Sequence, residues 1–261
     1  SLAGDWKYRI GLSLTGFPPA PISPVQSSSY PTVLFNAMVK PWTAFPIKGV
    51  IWYQGEANVG RSEQYGDLFP ALITDWRRQW RSDFPFYFVQ LANFMESKKI
   101  QPDSEWAALR EAQTKALKLD QVGMAVTIDI GLADDIHPKN KQEVGRRLAL
   151  VALAGSYGKN VSSSAPVFQN YIIKGNKMEL DFGQKQDGFQ IKGTTLKGFT
   201  IAGPDRVFYP AEAMVHDGKI ILSSTEVPAP LAARYGWADN PDCNLYGENG
   251  LPVAPFRTDC W

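Results

Sequence analysis

The sequence predicts an α/β domain built on a parallel sheet with helices on both faces. Two observations carry that expectation. Runs rich in β-branched and aromatic residues alternate three times in succession with amphipathic segments of helical length. The third run, residues 122–128, is nearly continuous in apolar residues, as a strand covered on both faces must be. A chain of 261 residues accommodates one large domain, or one with a small appendage.

The elements follow in order. Residues 1–47 carry Pro18, Pro19, Pro21 and Pro24, then Ser27 to Ser29, and read as an irregular approach with a short apolar helix over 32–39. Residues 48–53 form the first strand, and Gln54-Gly55-Glu56-Ala57-Asn58 is a polar turn. Ser62 then reads as an N-cap. Tyr65, Leu68, Phe69, Leu72, Ile73, Trp76 and Trp80 follow at gaps mostly of three and four, which defines an amphipathic helix. Pro70 predicts a kink or a shortened first turn. Residues 86–92 read as a strand, 105–119 as a helix, 122–128 as a strand and 139–154 as a helix. From Ser156 the pattern shortens to alternating segments at 177–182, 189–191, 198–201 and 219–223. The expected organisation is an α/β domain over 1–155, with a small antiparallel β region and an irregular tail over 156–261 packing on it.

Composition excludes several classes. Lys+Arg 27 against Asp+Glu 26 gives a net charge of +1, which argues against a nucleic-acid binder. Hydrophobic content of 44% and charged content of 20% exclude a disordered chain. The longest run of small apolar residues, 148–154, is too short for a bilayer, which needs about 20. Cys243 and Cys260 cannot by themselves form a disulfide scaffold or a zinc cage; one disulfide and two reduced thiols both remain open. With only His137 and His216, no histidine-rich metal site is expected. The chain opens Ser-Leu-Ala-Gly-Asp-Trp-Lys with neither Met nor an apolar signal stretch, so the natural N-terminus is expected upstream.

In a parallel sheet, ligand-handling residues gather in loops at the carboxyl ends of strands. Two loops meet that criterion. In the later one, His137 precedes Pro138, a favoured first helical residue, which predicts His137 at a helix N-terminus where the dipole favours the neutral base. Asp134 and Asp135 lie within reach and either could orient the imidazole. The same aspartates also suit a purely structural capping cluster. In the earlier loop, the Gly55 N–H and the Gln54 side chain could donate to an oxyanion, with Glu56 a carboxylate partner or substrate ligand. An ordinary strand-to-helix turn, with Gly55 supplying an unusual dihedral, reads equally well. Trp52 and Tyr53 end a buried-looking strand and read as core.

A histidine base held by an aspartate asks for a serine or cysteine nucleophile. No G-x-S-x-G elbow occurs, and no serine follows Gly-Asp or Gly-Gln after a strand. Both cysteines fall in the tail. Phosphate-loop, G-x-G-x-x-G and H-E-x-x-H motifs are absent. Asn160-Val161-Ser162 is a glycosylation acceptor pattern, meaningful only in a secretory eukaryotic context.

Three segments together resemble a known family. GVIWYQGEAN at 49–58, DDIHPKNKQEVGRRLA at 134–149 and NLYGENGLPVAPFRTDCW at 244–261 are similar to the sialate O-acetylesterases, a branch of the SGNH hydrolases. The resemblance implies a serine esterase on a flavodoxin-like, three-layer parallel sheet. It implies His137 as base, Asp134 as the acid of a D-x-x-H pattern, and oxyanion help from Gln54 and Gly55. Relatives often carry Asn at the first of the two acidic positions, which keeps Asp135 in play. A serine block of the Gly-Gln-Ser-Asn type is implied upstream of Ser1, on a preceding segment or a second chain, with the sheet incomplete at the N-terminus. No nucleophile is expected in this chain, and no metal or organic cofactor. The implied reaction is removal of O-acetyl groups from sugars, O-acetylated sialic acids first. An acetylxylan-type polysaccharide esterase is the alternative enzyme, and a non-catalytic carbohydrate-binding or scaffolding chain the alternative class. The implied location is extracytoplasmic: periplasmic or secreted, or lysosomal in a eukaryote.

Overall fold

The computed structural model describes residues 30–183 and 188–261. The approach segment up to residue 29 lies outside the described residues. Packing divides the chain into two compact units, 1–45 and 46–261. In the first, a π-helical turn Phe35–Val39 and a 3-10 turn Lys40–Trp42 occupy the expected short helix.

In the second unit, β1 (Val50–Trp52), β2 (Phe86–Val89) and β3 (Val122–Ala125) pair in parallel in that order. Helix α1 (Ser62–Trp80) follows β1, α2 (Glu105–Thr114) follows β2, and α3 (Lys141–Gly155) follows β3. Every residue of β2 is buried. Phe86 and Phe88 join Tyr65, Phe69 and Ile73 of α1 and Leu109 and Ala112 of α2. Tyr87 and Val89 point the other way, to Val144, Leu148 and Val151 of α3. Side chains alternate across a strand, so an apolar run on β2 serves two helical layers at once. Phe88 is 0% exposed and meets Phe69 edge-on at 5.1 Å. Phe88→Ala should therefore cost about 3–5 kcal/mol, read as a lowered urea midpoint with the unfolding slope unchanged; an unshifted midpoint would refute this account of the core.

Helix α1 starts at Ser62, but Arg61 occupies the cap position, and no side chain caps it. The helix also runs on through Pro70, neither ending nor starting late. Proline removes one backbone donor, and here the apolar stripe packed on the sheet outweighs that loss. Helix α2 is shorter than its apolar pattern suggests, giving way to a 3-10 turn Lys115–Lys118. Its Ser104 cap accepts the Ala107 N–H at 3.0 Å.

Beyond α3 the chain is richer in strands than the sequence suggests. β4 (Asn170–Lys174), β5 (Lys177–Asp181), β9 (Glu212–His216) and β10 (Lys219–Ser223) form one antiparallel sheet in the order β4-β5-β10-β9. β7 (Phe199–Ala202), β8 (Phe208–Pro210), β11 (Ala232–Tyr235) and β13 (Phe256–Arg257) form another, ordered β13-β11-β7-β8. β6 (Phe189–Ile191) pairs with β12 (Leu245–Gly247). One core joins them: Met178, Leu180, Ile220 and Leu222 pack with Ile201, Ala233 and Tyr235.

The tail expected to be irregular thus supplies three strands, and it is anchored by charge. Arg234 of β11 donates to both carboxylate oxygens of Asp259, at 2.8 and 2.6 Å, and the Asp259 side chain is 0% exposed. Arg110 of α2, fully buried, donates to the carbonyls of Leu91, Ala238 and Asp239 at 3.0, 2.8 and 2.6 Å. Burial lowers the Arg110 pKa to about 9. Cys243 and Cys260 are free thiols, and burial pushes Cys243 up to about 12. Among the described residues no helix is long and apolar enough to cross a membrane.

Candidate active site

Because the three strands are parallel, the segments after β1, β2 and β3 emerge from the same edge of the sheet. After β1 comes a tight turn. Gln54 Nε2 donates to Asn58 Oδ1 at 2.8 Å, and the Tyr65 hydroxyl donates to the Gln54 carbonyl and Oε1 at 3.2 and 3.3 Å. Gln113 of α2, 0% exposed, donates to the Gln54 carbonyl at 3.4 Å and accepts the Leu91 N–H at 2.9 Å. Gly55 sits beneath it. Its backbone, at φ 159° and ψ −24°, adopts the unusual dihedral expected of this glycine, and a Cβ there would in addition lie 3.2 Å from Gln113 Nε2 and 3.3 Å from Leu91 Cδ2. Among the described residues the Gly55 N–H has no acceptor. Glu56 opens a 3-10 turn, Glu56–Asn58. Its charge adds to burial in raising the Tyr53 pKa to about 12.

After β3 the chain descends through Asp129 to His137. Asp129 is gripped by Arg147 of α3, whose Nη1 and Nη2 donate to its carboxylate at 2.6 and 2.9 Å; the side chains are 5% and 11% exposed. Arg147 also donates to the Val126 carbonyl at 2.7 Å and to Glu143 at 2.8 Å. The Tyr246 hydroxyl donates to Asp129 at 3.1 Å. Hydrogen bonds from Arg146 and Arg147 hold Glu143 down at about 2. Two residues on, the Gly131 N–H donates to Asn93 Oδ1 at 2.7 Å, and a Cβ at Gly131 would come within 1.8 Å of the Asn93 carbonyl oxygen. No side chain fits there.

His137 itself is open, its side chain 86% exposed. Asp135 Oδ1 accepts the His137 backbone N–H at 2.8 Å and lies 3.6 Å from Nδ1, beyond hydrogen-bond length. Asp134 is exposed, with no hydrogen bond or ion pair among the described residues. One expectation fails. Helix α3 begins at Lys141, capped by Asn140 Oδ1 accepting the Glu143 N–H at 3.2 Å, so His137 stands before the cap and not on the first turn. An asparagine offers a side-chain acceptor to the free N–H groups, and Pro138 offers none. The dipole fades within the first turn. The aspartates accordingly do not cap the helix.

The structure brings the two loops to neighbouring packing: Tyr53 and Ile136 pack on the same core cluster, and Lys141 Nζ lies 4.8 Å over the Tyr53 ring. It places no hydrogen bond between Gln54, Gly55 or Glu56 and Asp134, Asp135 or His137 among the described residues. Gln113, Asn93, Asp129, Arg147 and Tyr246 were not singled out by sequence, since each acts through a partner distant along the chain. Among the described residues no group of three or more His, Cys, Asp or Glu side chains could hold a metal ion.

A family model for sialic acid-specific acetylesterases, a class of carbohydrate esterase, matches residues 21–154, just over half of the chain. The chain belongs to this family. Sialate O-acetylesterases of Pongo abelii and Homo sapiens are 32% and 31% identical to it, each over 96% of this chain and 54% of their own length. The chain therefore spans about half the length of the curated relatives it matches. Among solved structures, a carbohydrate acetylesterase from Xanthomonas citri superposes with a TM-score of 0.85 at 46% identity, over 88% of this chain and 55% of that one. For this family member, Gln54, Gly55, Glu56, Asp134, Asp135 and His137 all fall inside the matched span, and the β-rich region lies beyond it.

Proposed function

We propose that the protein carrying this chain removes O-acetyl groups from sugars, O-acetylated sialic acids foremost. The carrying observation is membership of the sialic acid-specific acetylesterase family, with the matched span containing an exposed histidine beside two aspartates. The proposed parallel sheet is the later part of a flavodoxin-like SGNH sheet within residues 1–155, with 156–261 an accessory β region. A serine upstream of this chain, on a preceding segment or a second chain, attacks the acetyl carbonyl. His137 takes the hydroxyl proton. The Gly55 N–H, which has no acceptor among the described residues, and the Gln54 amide receive the oxyanion as the tetrahedral adduct forms. His137 returns the proton to the departing sugar hydroxyl, leaving an acetyl-serine. Water, deprotonated by His137, then releases acetate. Asp134 is the proposed orienting acid. Asp135 is already engaged in holding the turn through the His137 N–H. No cofactor enters this reaction, and an extracytoplasmic location suits acetylated glycans as substrate.

Two measurements test this reading. The full-length protein should release acetate from O-acetylated N-acetylneuraminic acid faster than from acetylated xylan. The reverse preference would favour a polysaccharide esterase, and no release from either would favour a carbohydrate-binding role. The 261-residue chain alone should take no fluorophosphonate label, whereas the full-length protein should take one equivalent. Labelling of the short chain, lost in His137→Ala, would place the nucleophile inside it.

A further inference from the structure

A cavity of about 500 Å³ lies between residues 97–102 and the β7, β8 and β11 strands. That size falls in the range of roughly 300–1,000 Å³ typical of small-molecule sites. None of Gln54, Gly55, Glu56, Asp134, Asp135 or His137 lines it. Its walls are held before any ligand arrives. Arg234 Nη1 and Trp237 Nε1 both donate to the Pro102 carbonyl, at 2.8 and 3.0 Å. The Gln101 amide donates to the Asp239 carboxylate and accepts the Asp239 N–H. Apolar side chains, Leu196, Phe199 and Phe208 among them, contribute the remaining surface.

The charges decide what fits. Lys98, Lys99, Lys197 and Arg234 line the cavity, against a single acid, Asp242. Arg234 is neutralised by the buried Asp259, and Lys197 by Asp242 at 2.8 Å. Lys98 and Lys99 have no carboxylate partner among the described residues. Two uncompensated ammonium groups above a partly apolar wall match a ligand with an anionic group on a compact, half-apolar body.

We propose that this cavity is a second sugar site, distinct from the ester-cleaving loop, which takes an acidic monosaccharide by its carboxylate. It rests on the reading of the substrate as a sialic acid, a carboxylated sugar, and deepens it: the enzyme holds one acidic residue of the glycan at Lys98 and Lys99 while presenting the acetyl ester to His137. The probe is N-acetylneuraminic acid, which has no O-acetyl group to lose, with N-acetylmannosamine as neutral control. Titration of the full-length protein should show binding of the acid that weakens with salt, no comparable binding of the neutral sugar, and a loss of about tenfold in Lys98→Glu/Lys99→Glu, where two exposed contacts become repulsive. The double variant should raise KM for an O-acetylated disialoside, whose second acidic residue occupies the cavity, and leave both its kcat and the rate on 4-nitrophenyl acetate unchanged. Equal binding of the neutral sugar, or affinity unaltered in the double variant, would overturn the proposal. Lysine-dependent binding without any ester turnover would keep this site and sink the esterase reading instead.

Discussion

Replacing His137 with alanine in the full-length protein should lower acetate release by about 10²–10⁴-fold, the usual contribution of a positioned general base. The side chain is 86% exposed, so its removal leaves no cavity, and the unfolding midpoint should stay within experimental scatter of the parent. Activity and stability are thereby separated. Wild-type turnover in His137→Ala would remove His137 from the mechanism. The neighbouring acids are told apart the same way. Asp134→Asn should cut kcat without touching stability, because Asp134 has no described partner to lose. Asp135→Asn should cost less, since an amide oxygen can still accept the His137 N–H. A larger loss in Asp135→Asn would exchange the two roles.

The second large effect is expected at Asp129, which touches none of the proposed reacting atoms. Asp129→Ala leaves the Arg147 guanidinium 5% exposed and short of its carboxylate, and breaking one side of such a pair typically costs about 3–5 kcal/mol. The Tyr246 hydroxyl loses its acceptor as well. Glu143 retains its bonds to Arg147 and Arg146, so part of the network survives. Because Asp129 opens the loop that ends at His137, the variant should lose turnover as well as stability. The double variant Asp129→Ala/Arg147→Met, which buries no unpaired charge, should recover most of the unfolding midpoint and little of the turnover. Recovery of both would mean that the pair only supports the fold; recovery of neither would mean that the network is not held together by charge.

The parallel sheet and its three helices were legible because each rests on local periodicity. Residues 122–128 read as a strand without help from elsewhere, although the pairing stops at Ala125, and the stripe from Tyr65 to Trp80 read as a helix despite Pro70. What was not legible depended on partners far along the chain. Ala232-Ala233-Arg234-Tyr235 has no alternation to announce a strand, yet all four residues are buried, Arg234 only because Asp259 waits 25 residues later. The start of α3 was misplaced because Pro138 is a good first helical residue in general, whereas Asn140 makes the capping bond here. At the candidate site, the Gln54-Gly55-Glu56 turn and the Asp134-Asp135-His137 loop stood out as short polar motifs after strands. Their supports did not: Gln113 reaches Gln54 across 59 positions, and Asn93 reaches Gly131 across 38.

Arg110 has a consequence for how the chain matures on the ribosome. One of its carbonyl partners, on Leu91, is made before it, but those on Ala238 and Asp239 follow 128 and 129 residues later. At typical synthesis speeds that delay is on the order of 10 s. Throughout that interval the guanidinium must keep its hydration, because a buried charge lacking acceptors is too costly. Helix α2 therefore cannot close fully on β2 until residues 238 and 239 have left the ribosome. The α/β layer reaches its final packing only when the later β-rich segment is there to receive the guanidinium, so the two regions mature together rather than in chain order.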